Sequence, residues 1–332
     1  MIKSLVTGGA GFIGTHVVKH LLQMGHEIVI LDDLSGGFIE NVDSRATFVQ
    51  GSITDVALVA DLFKHHQFTY VYHLAAYAAE GLSHFIRRFN YQNNVMGSIH
   101  LINAAIQHEI KCFVFTSSIA VYGTNTLPMV EQATPKPEDP YGIAKYAIEL
   151  DLEAAHNLFG LNYVIFRPHN VYGEFQNIGD RYRNVIGIFM NQILQNKALT
   201  IYGDGEQSRA FSYIDDVAPY IARCVDVVAA QNEIFNIGGD QSFSVNQLAQ
   251  TILKVMQKEI PIEYLAHRKE VVHAYADHSK IKAAFNIQES TLTPLEEGLA
   301  KMALWVQKHG TRKTKAFEAI EIFKNLPQNW LS

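Results

Sequence analysis

Ile2-Lys3-Ser4-Leu5-Val6-Thr7-Gly8-Gly9-Ala10-Gly11-Phe12-Ile13-Gly14 decides the fold. The first residues are short and β-prone, and Thr15 to Gly25 reads as a helix that ends at a glycine. A strand, a glycine turn and a helix start form a phosphate cradle. The first backbone N–H groups of a helix lack intrahelical partners and, with the positive helix end, face an anion. The amides around Phe12 and Ile13 belong to that cradle. Gly8 and Gly11 permit close backbone approach, and Gly14 lets the helix pack on the strand. Taken alone, the glycines could serve only a tight turn. A second strand, Glu27-Ile28-Val29-Ile30-Leu31, follows and ends in Asp32-Asp33. That is the spacing at which an acidic residue meets an adenosine ribose diol. A carboxylate at Asp32 accepts from both ribose hydroxyls and repels a 2′-phosphate, so NAD is expected over NADP. Asp33 reads as the turn residue, although the two could exchange roles.

Working outward, residues 2–7, 27–32, 46–50, 69–75, 111–117 and 162–167 are expected to be strands, all short and apolar. Helices are expected at 12–24, 55–66, 92–108 and 140–159. This alternation predicts an α/β fold of the Rossmann type, a doubly wound parallel sheet covered on both faces. Ligands in such sheets bind past the carboxyl ends of the strands. After about residue 175 the rhythm breaks into a polar loop, a helix at 185–196, a strand at Leu199-Thr200-Ile201-Tyr202, another at 233–237 and a helix at 244–257. The expected organisation is a dinucleotide-binding domain over 1–175, with returning segments near 210–240, and a smaller substrate-binding region over 176–332. Residues 311–332 hold a possible helix and carry no functional reading.

The 332 residues suffice for a large core, and 48% hydrophobic against 18% charged residues describes a globular chain. A net charge of −6 leaves no electrostatic footprint for nucleic acid or an acidic membrane. Cys112 and Cys224 lie in apolar runs and read as buried free thiols in a reducing compartment. The first strand begins at Met1, leaving no room for a signal peptide, and no apolar run is long enough to span a bilayer. A cytoplasmic location is expected. Among fifteen histidines, His65-His66 and the His16/His20 pair come nearest to metal-ligand spacing. With no third ligand evident, they read as a solvated helix face, and no metal is expected.

Tyr141-Gly142-Ile143-Ala144-Lys145 opens the helix after Pro140. Residues four apart share a helix face, so the phenol and the ammonium can point to one place. The preceding strand ends in Thr116-Ser117-Ser118-Ile119-Ala120-Val121-Tyr122-Gly123, a hydroxyl cluster at the expected ligand edge. Over about residues 1–285 the chain resembles the extended short-chain dehydrogenase/reductase family, in particular the nucleotide-sugar epimerases and dehydratases. The motifs are TGGAGFIG, the Asp32 strand end, His73-Leu74-Ala75-Ala76, Asn93-Asn94-Val95, SSIAVYG, YGIAK, Arg167-Pro168-His169-Asn170-Val171-Tyr172-Gly173 and the segment 202–217. The resemblance implies that Tyr141 transfers a proton and that Lys145 holds the nicotinamide ribose and lowers the phenol's pKa. A phenolate at neutral pH needs a shift of about three units from ~10, or ~4 kcal/mol. It implies that Ser118 donates to the reacting sugar hydroxyl, with Ser117 as runner-up or as the cap of the strand end. Leu74, Ala75, Ala76, Asn94, Ser117 and the Pro168-His169 backbone would line the cofactor. Asn170 would meet the sugar or a phosphate oxygen, and Arg209, with Arg268 as second candidate, would clamp the diphosphate.

The departures refine the reading. Gly51-Ser52-Ile53 stands where many relatives carry an Asp for the adenine amino group; Ser52 implies a weaker hold. Ala120 stands where dehydratases and sugar-acid decarboxylases usually carry an acid, so elimination of water lacks its proton shuttle. The implied activity is NAD-dependent inversion at C4 of a nucleoside-diphosphate hexose, with uridine the favoured base. Small Ala274 would admit an N-acetylhexosamine. Glu80 and His84, in the unusual loop 77–84, would suit epimerisation at C2 or C3/C5 if they were acid/base groups, but read better as loop residues. A net nucleotide-sugar oxidoreductase and a non-catalytic NAD-binding regulator are the rival classes. A homodimer joined through the helices near 92–108 and 140–159 is expected.

Overall fold

A computed structural model describes residues 2–180, 182, 184–267, 272–312, 317 and 319–327. Its centre is a seven-stranded parallel sheet. The strands are β1 (Lys3–Thr7), β2 (Glu27–Asp32), β3 (Thr47–Gln50), β4 (Tyr70–His73), β5 (Cys112–Thr116), β6 (Tyr163–Pro168) and β7 (Glu233–Ile237). They lie in the order β7-β6-β5-β4-β1-β2-β3. Burial on both faces explains why their sequences are apolar runs rather than alternating ones. Leu5, Val29, Leu31, Val71, Phe113, Phe115 and Ile165 face the helices Val56–His66, Gly97–Gln107 and Pro140–Phe159. Val6, Ile28, Ile30, Tyr72, Val114 and Phe166 face the helix Phe12–Gln23 and the second half of the chain.

The strand order reverses between β1 and β4, which makes the crevice there the place for a ligand. The register sharpens this. Thr7 pairs with Leu31 on one side and His73 on the other, so the segments opening at Gly8, Asp32 and Leu74 leave the sheet at one level.

The expected strands and helices of the first half all occur, with ends shifted by a residue or two. The helix expected at 92–108 is instead preceded by Arg87–Tyr91 and by a wide π-type turn, Gln92–Met96, before Gly97–Gln107. Pro140–Phe159 starts at a proline after Asp139, whose carboxylate accepts from the Gly142 amide at 2.9 Å, and ends at Gly160 with φ +73°. The chain leaves the sheet after β6 and comes back twice. The helix Ala218–Arg223 packs on Phe12–Gln23, and β7 pairs along β6.

Before and after these returns the chain builds the smaller region. Leu199–Tyr202 pairs with Ile262–Leu265, and Ser208–Ala210 pairs with both Ser242–Ser244 and His273–Ala274. The helices Val185–Leu194, Val245–Met256 and Leu295–His309 pack together beside them. Leu295–His309 escaped the sequence reading despite Glu296 and Glu297 in its first turn and Lys308 and His309 in its last. The helix expected in the tail is absent from the described residues beyond Gly310.

One polar network crosses the sheet's carboxyl edge. Glu149 and Arg167 form an ion pair with side chains 2% exposed each, Arg167 donating through Nε at 3.0 Å and Nη2 at 2.5 Å. Ser117 donates its hydroxyl to Glu149, and Arg167 donates a further bond to the Tyr122 hydroxyl at 2.7 Å. Tyr122 donates to Asn236 in β7 at 2.8 Å, and Asn236 donates to the carbonyls of Met129 and Asp277. Removing one partner of a buried pair strands the other charge. Arg167→Met is therefore expected to cost about 3–5 kcal/mol, read as a lower urea midpoint. A loss below about 1 kcal/mol would show that the pair does not hold this edge together.

Candidate active site

The glycine turn is shaped to receive an anion. Gly8 sits at φ +73°, and a Cβ on it would lie 2.7 Å from the Ala75 amide nitrogen. The turn and the Leu74-Ala75 segment thus form one floor that only glycine permits. A Cβ on Gly14 would lie 2.1 Å from the Gly8 carbonyl oxygen. Gly11 caps the helix without any side-chain bond, so the amides of Phe12 and Ile13 at its start are left for an incoming group.

Asp32, 8% exposed, accepts from the Ala10 amide at 3.0 Å and the Leu34 amide at 2.8 Å, one on each oxygen. Both oxygens are thereby aimed and each keeps a lone pair for a ribose hydroxyl. Burial pushes this carboxyl above its ordinary value, with the two amides opposing. Asp33 accepts only from the Ser35 amide and behaves as the turn residue. Ser52 is bonded to Thr54 through both its hydroxyl and that residue's amide, and Ile53 is buried against Gly97. Taken together, the cradle, the aimed carboxylate and the bare helix end fit a dinucleotide.

The segment after β4 is held from behind. His73 joins Thr7 through Nδ1 at 2.7 Å and Ser98 through Nε2 at 2.8 Å, and burial drives its pKa down to about 3, with Lys145 adding to the effect. Asn94 spends its amide group on the Tyr77 backbone, accepting its N–H at 2.8 Å and donating to its carbonyl, and donates to Asn90. It therefore positions the residues after Ala76. Ser117 is likewise turned inward: its amide donates to Phe166 and its hydroxyl to Glu149.

Tyr141, Lys145 and Glu149 succeed one another on one buried face of Pro140–Phe159. The Lys145 ammonium donates to the Thr116 carbonyl at 2.7 Å and lies 5.8 Å from the Tyr141 ring centre. Burial draws it down to about 7, and Glu149 opposes that loss. A Cβ on Gly142 would meet the Ala120 carbonyl oxygen at 2.6 Å, so the helix start abuts the turn Ile119–Tyr122. Ser118 caps that turn by accepting from the Ala120 amide at 3.1 Å, which leaves its hydroxyl proton for another acceptor. The turn that Ser118 caps thus abuts the helix start that carries Tyr141 and Lys145.

After β6, Pro168 leads into His169, which is buried and pulled down to about 3 by burial and by His278, 2.9 Å away. Asn170, at φ +41°, donates to the Ala210 carbonyl at 3.0 Å. Arg209 and Ala274 face each other in register, and Arg209 donates to the Ser208 and Val272 carbonyls. Arg268 lies outside the described residues. Glu80 and His84 are exposed. His16 is not on a solvated face as expected. It is 6% exposed, bonds the Glu174 carbonyl through Nε2 at 3.1 Å, and packs edge-on to Phe12 and Phe175. Among the described residues no cluster of three potential metal ligands occurs, and no helix is long and apolar enough to cross a membrane. Cys112 and Cys224 are buried and free.

The profile of the NAD dependent epimerase/dehydratase family matches residues 4–238. The chain belongs to this family. Its fold is that of the family's extended short-chain dehydrogenase/reductase epimerases, and it is an NAD-dependent nucleotide-sugar epimerase. A UDP-glucose 4-epimerase of Halalkalibacterium halodurans is 33% identical over 80% of this chain and 83% of its own length. The crystal structure of the Thermotoga maritima UDP-glucose 4-epimerase with UDP-glucose superposes with a TM-score of 0.86 at 34% identity, covering 92% of this chain and 99% of that one. A UDP-N-acetylglucosamine 4-epimerase of Methanobrevibacter ruminantium, in complex with UDP-N-acetylmuramic acid, gives 0.85 at 33% identity over 92% and 98%. Relatives named dTDP-glucose 4,6-dehydratases also match.

Proposed function

We propose that this epimerase inverts C4 of a UDP-hexose or UDP-N-acetylhexosamine through a 4-keto sugar. The observation that carries the reading is the Tyr141–Lys145 pair on one buried face of its helix, with Ala120 in the place of an acid. NAD, held by the Gly8–Gly14 turn and Asp32, would supply reversible hydride chemistry at C4. Tyr141 takes the C4 hydroxyl proton and gives it back. Lys145, a buried cation 5.8 Å from that ring, favours the phenolate. Ser118 donates its free hydroxyl proton to the reacting sugar oxygen. Arg209 holds the diphosphate while the flat keto sugar turns about its linkage. Elimination of water would need a proton shuttle that Ala120 cannot supply, which disfavours the dehydratase chemistry of some relatives.

Tyr141→Phe should keep its bound NAD and lose about 10²–10⁴-fold in turnover. The checks are absorbance of the purified protein and NMR of C4 inversion across a panel of UDP-, GDP-, CDP- and dTDP-sugars. Near-normal turnover by the variant, or no C4 inversion of any sugar by the wild type, would sink the assignment.

The small side chain of Ala274, in register with Arg209, supports a sugar pocket that admits an N-acetyl group. UDP-N-acetylglucosamine should therefore be a substrate, and Ala274→Tyr should lose at least ~10-fold in kcat/KM on it while retaining UDP-glucose. Wild-type enzyme that turns over UDP-glucose and ignores the N-acetyl sugar would refute this.

Assembly as a homodimer is supported by Met96, Ile143, Leu150 and Leu158, apolar and exposed on the paired helices. Sedimentation at micromolar concentration should give twice the chain mass of 37.3 kDa; a monomer only would count against it.

A further inference from the structure

The segment beyond the last helix is tied back onto the dinucleotide cradle. Arg312 follows Leu295–His309 by three residues and is half-buried. Its guanidinium carbon stands 3.7 Å above the centre of the Phe38 ring and 5.3 Å from that of Trp305. One Nη donates to Asn41 Oδ1 at 2.7 Å and the other to the Phe175 carbonyl at 3.1 Å. A planar cation sandwiched between two rings and donating in two directions is a job that lysine cannot do.

The partners matter because of what they touch. Asn41, 6% exposed, donates to the Ala10 carbonyl at 2.9 Å, and the Phe38 amide donates to the same oxygen at 3.1 Å. A Cβ on Gly37 would lie 2.5 Å from that oxygen and 2.8 Å from the Gly11 amide nitrogen, so the loop lies directly on the glycine turn. Ala10 in turn donates to Asp32. Arg312, Asn41, Ala10 and Asp32 thus form one chain of hydrogen bonds from the tail to the ribose-side carboxylate.

Farther along, the tail is anchored beside the other end of the crevice. Phe317 packs against Tyr77 and Phe89, with ring centres 5.1 and 4.9 Å away. Glu321 accepts from the Arg88 and Phe89 amides at 2.8 Å each, and its own amide donates to the Phe85 carbonyl. Tyr77 directly follows the Leu74-Ala75-Ala76 floor and is the residue that Asn94 holds.

We propose that Arg312 is a positioning residue for the cofactor: it clasps the 37–41 loop onto the glycine turn, so that NAD leaves only when the C-terminal segment lets go. This rests on the glycine turn and Asp32 being the dinucleotide site. The clasp suits an enzyme whose cofactor is regenerated in every turnover and gains nothing by leaving.

The test uses the full-length chain with Arg312→Ala, with Phe38→Leu as a variant that removes the ring under the guanidinium and spares the tail, and with Lys308→Ala as an exposed control on the last helix. Protein loaded with NADH is mixed with excess NAD⁺, and release is followed by nicotinamide fluorescence. In parallel, amide hydrogen exchange is measured on the cofactor-free proteins. Arg312→Ala and Phe38→Leu should each release NADH at least tenfold faster than wild type and exchange faster at residues 34–42, while Lys308→Ala stays within twofold. Release by Arg312→Ala within twofold of wild type, or faster release with unchanged exchange at 34–42, overturns the proposal. A wild-type protein that retains no NADH would instead overturn the reading of the cradle itself.

Discussion

The ion pair between Glu149 and Arg167 is the constraint on which the active edge depends. Two charges out of water cost several kcal/mol each unless their bonding is complete, and here the pair is well supplied. Glu149 receives two guanidinium bonds and the Ser117 hydroxyl, and Arg167 adds the Tyr122 oxygen. The elements it joins are those that carry the chemistry: β5 through Ser117, the VYG turn through Tyr122, β6 through Arg167 itself and the Tyr141 helix through Glu149. Glu149 also opposes the desolvation of Lys145 one turn away. The anchor of the fold and the tuning of the cation are therefore one carboxylate.

Much of this was legible in the sequence because it is local. Apolar runs bounded by turns placed every central strand, and Asp32 was readable from its distance to the glycine turn. The unread features have partners far away in the chain. Ser117 read as a second substrate-facing serine or as the cap of the strand end, since nothing near it in sequence shows that Glu149 accepts its hydroxyl. His16 looked solvated because the residues that bury it, Glu174 and Phe175, come about 160 positions later. Asn94 carried the right motif, but its Tyr77 partner depends on how a π-type turn orients it. The tail had no periodicity to read. Its described residues are held by separate anchors, the Arg312 cation over two rings and the Glu321 carboxylate on two amides.

The smaller region is built on a different plan from the central sheet. The crevice at β1 follows from neighbouring strands ending at one level, a property of a single sheet. The smaller region gathers Ser208–Ala210, Ser242–Ser244 and His273–Ala274 into a small mixed sheet from three separate stretches. Asn236 bolts that region to the catalytic edge through the Met129 and Asp277 carbonyls. One run of hydrogen bonds thus joins the ion pair to the smaller region through Tyr122 and the Asn236 amide.

The seventh strand has a consequence for how such a chain can change over generations. Because β7 completes the sheet only after the chain has made the strands at 199–202 and 208–210, no single crossover exchanges the smaller region and leaves the sheet whole. A recombinant joined anywhere between β6 and β7 must inherit a foreign edge strand, together with the Asn236 that rides on it. Change within the smaller region is then reached most readily by point substitutions, and the two halves of the molecule descend together.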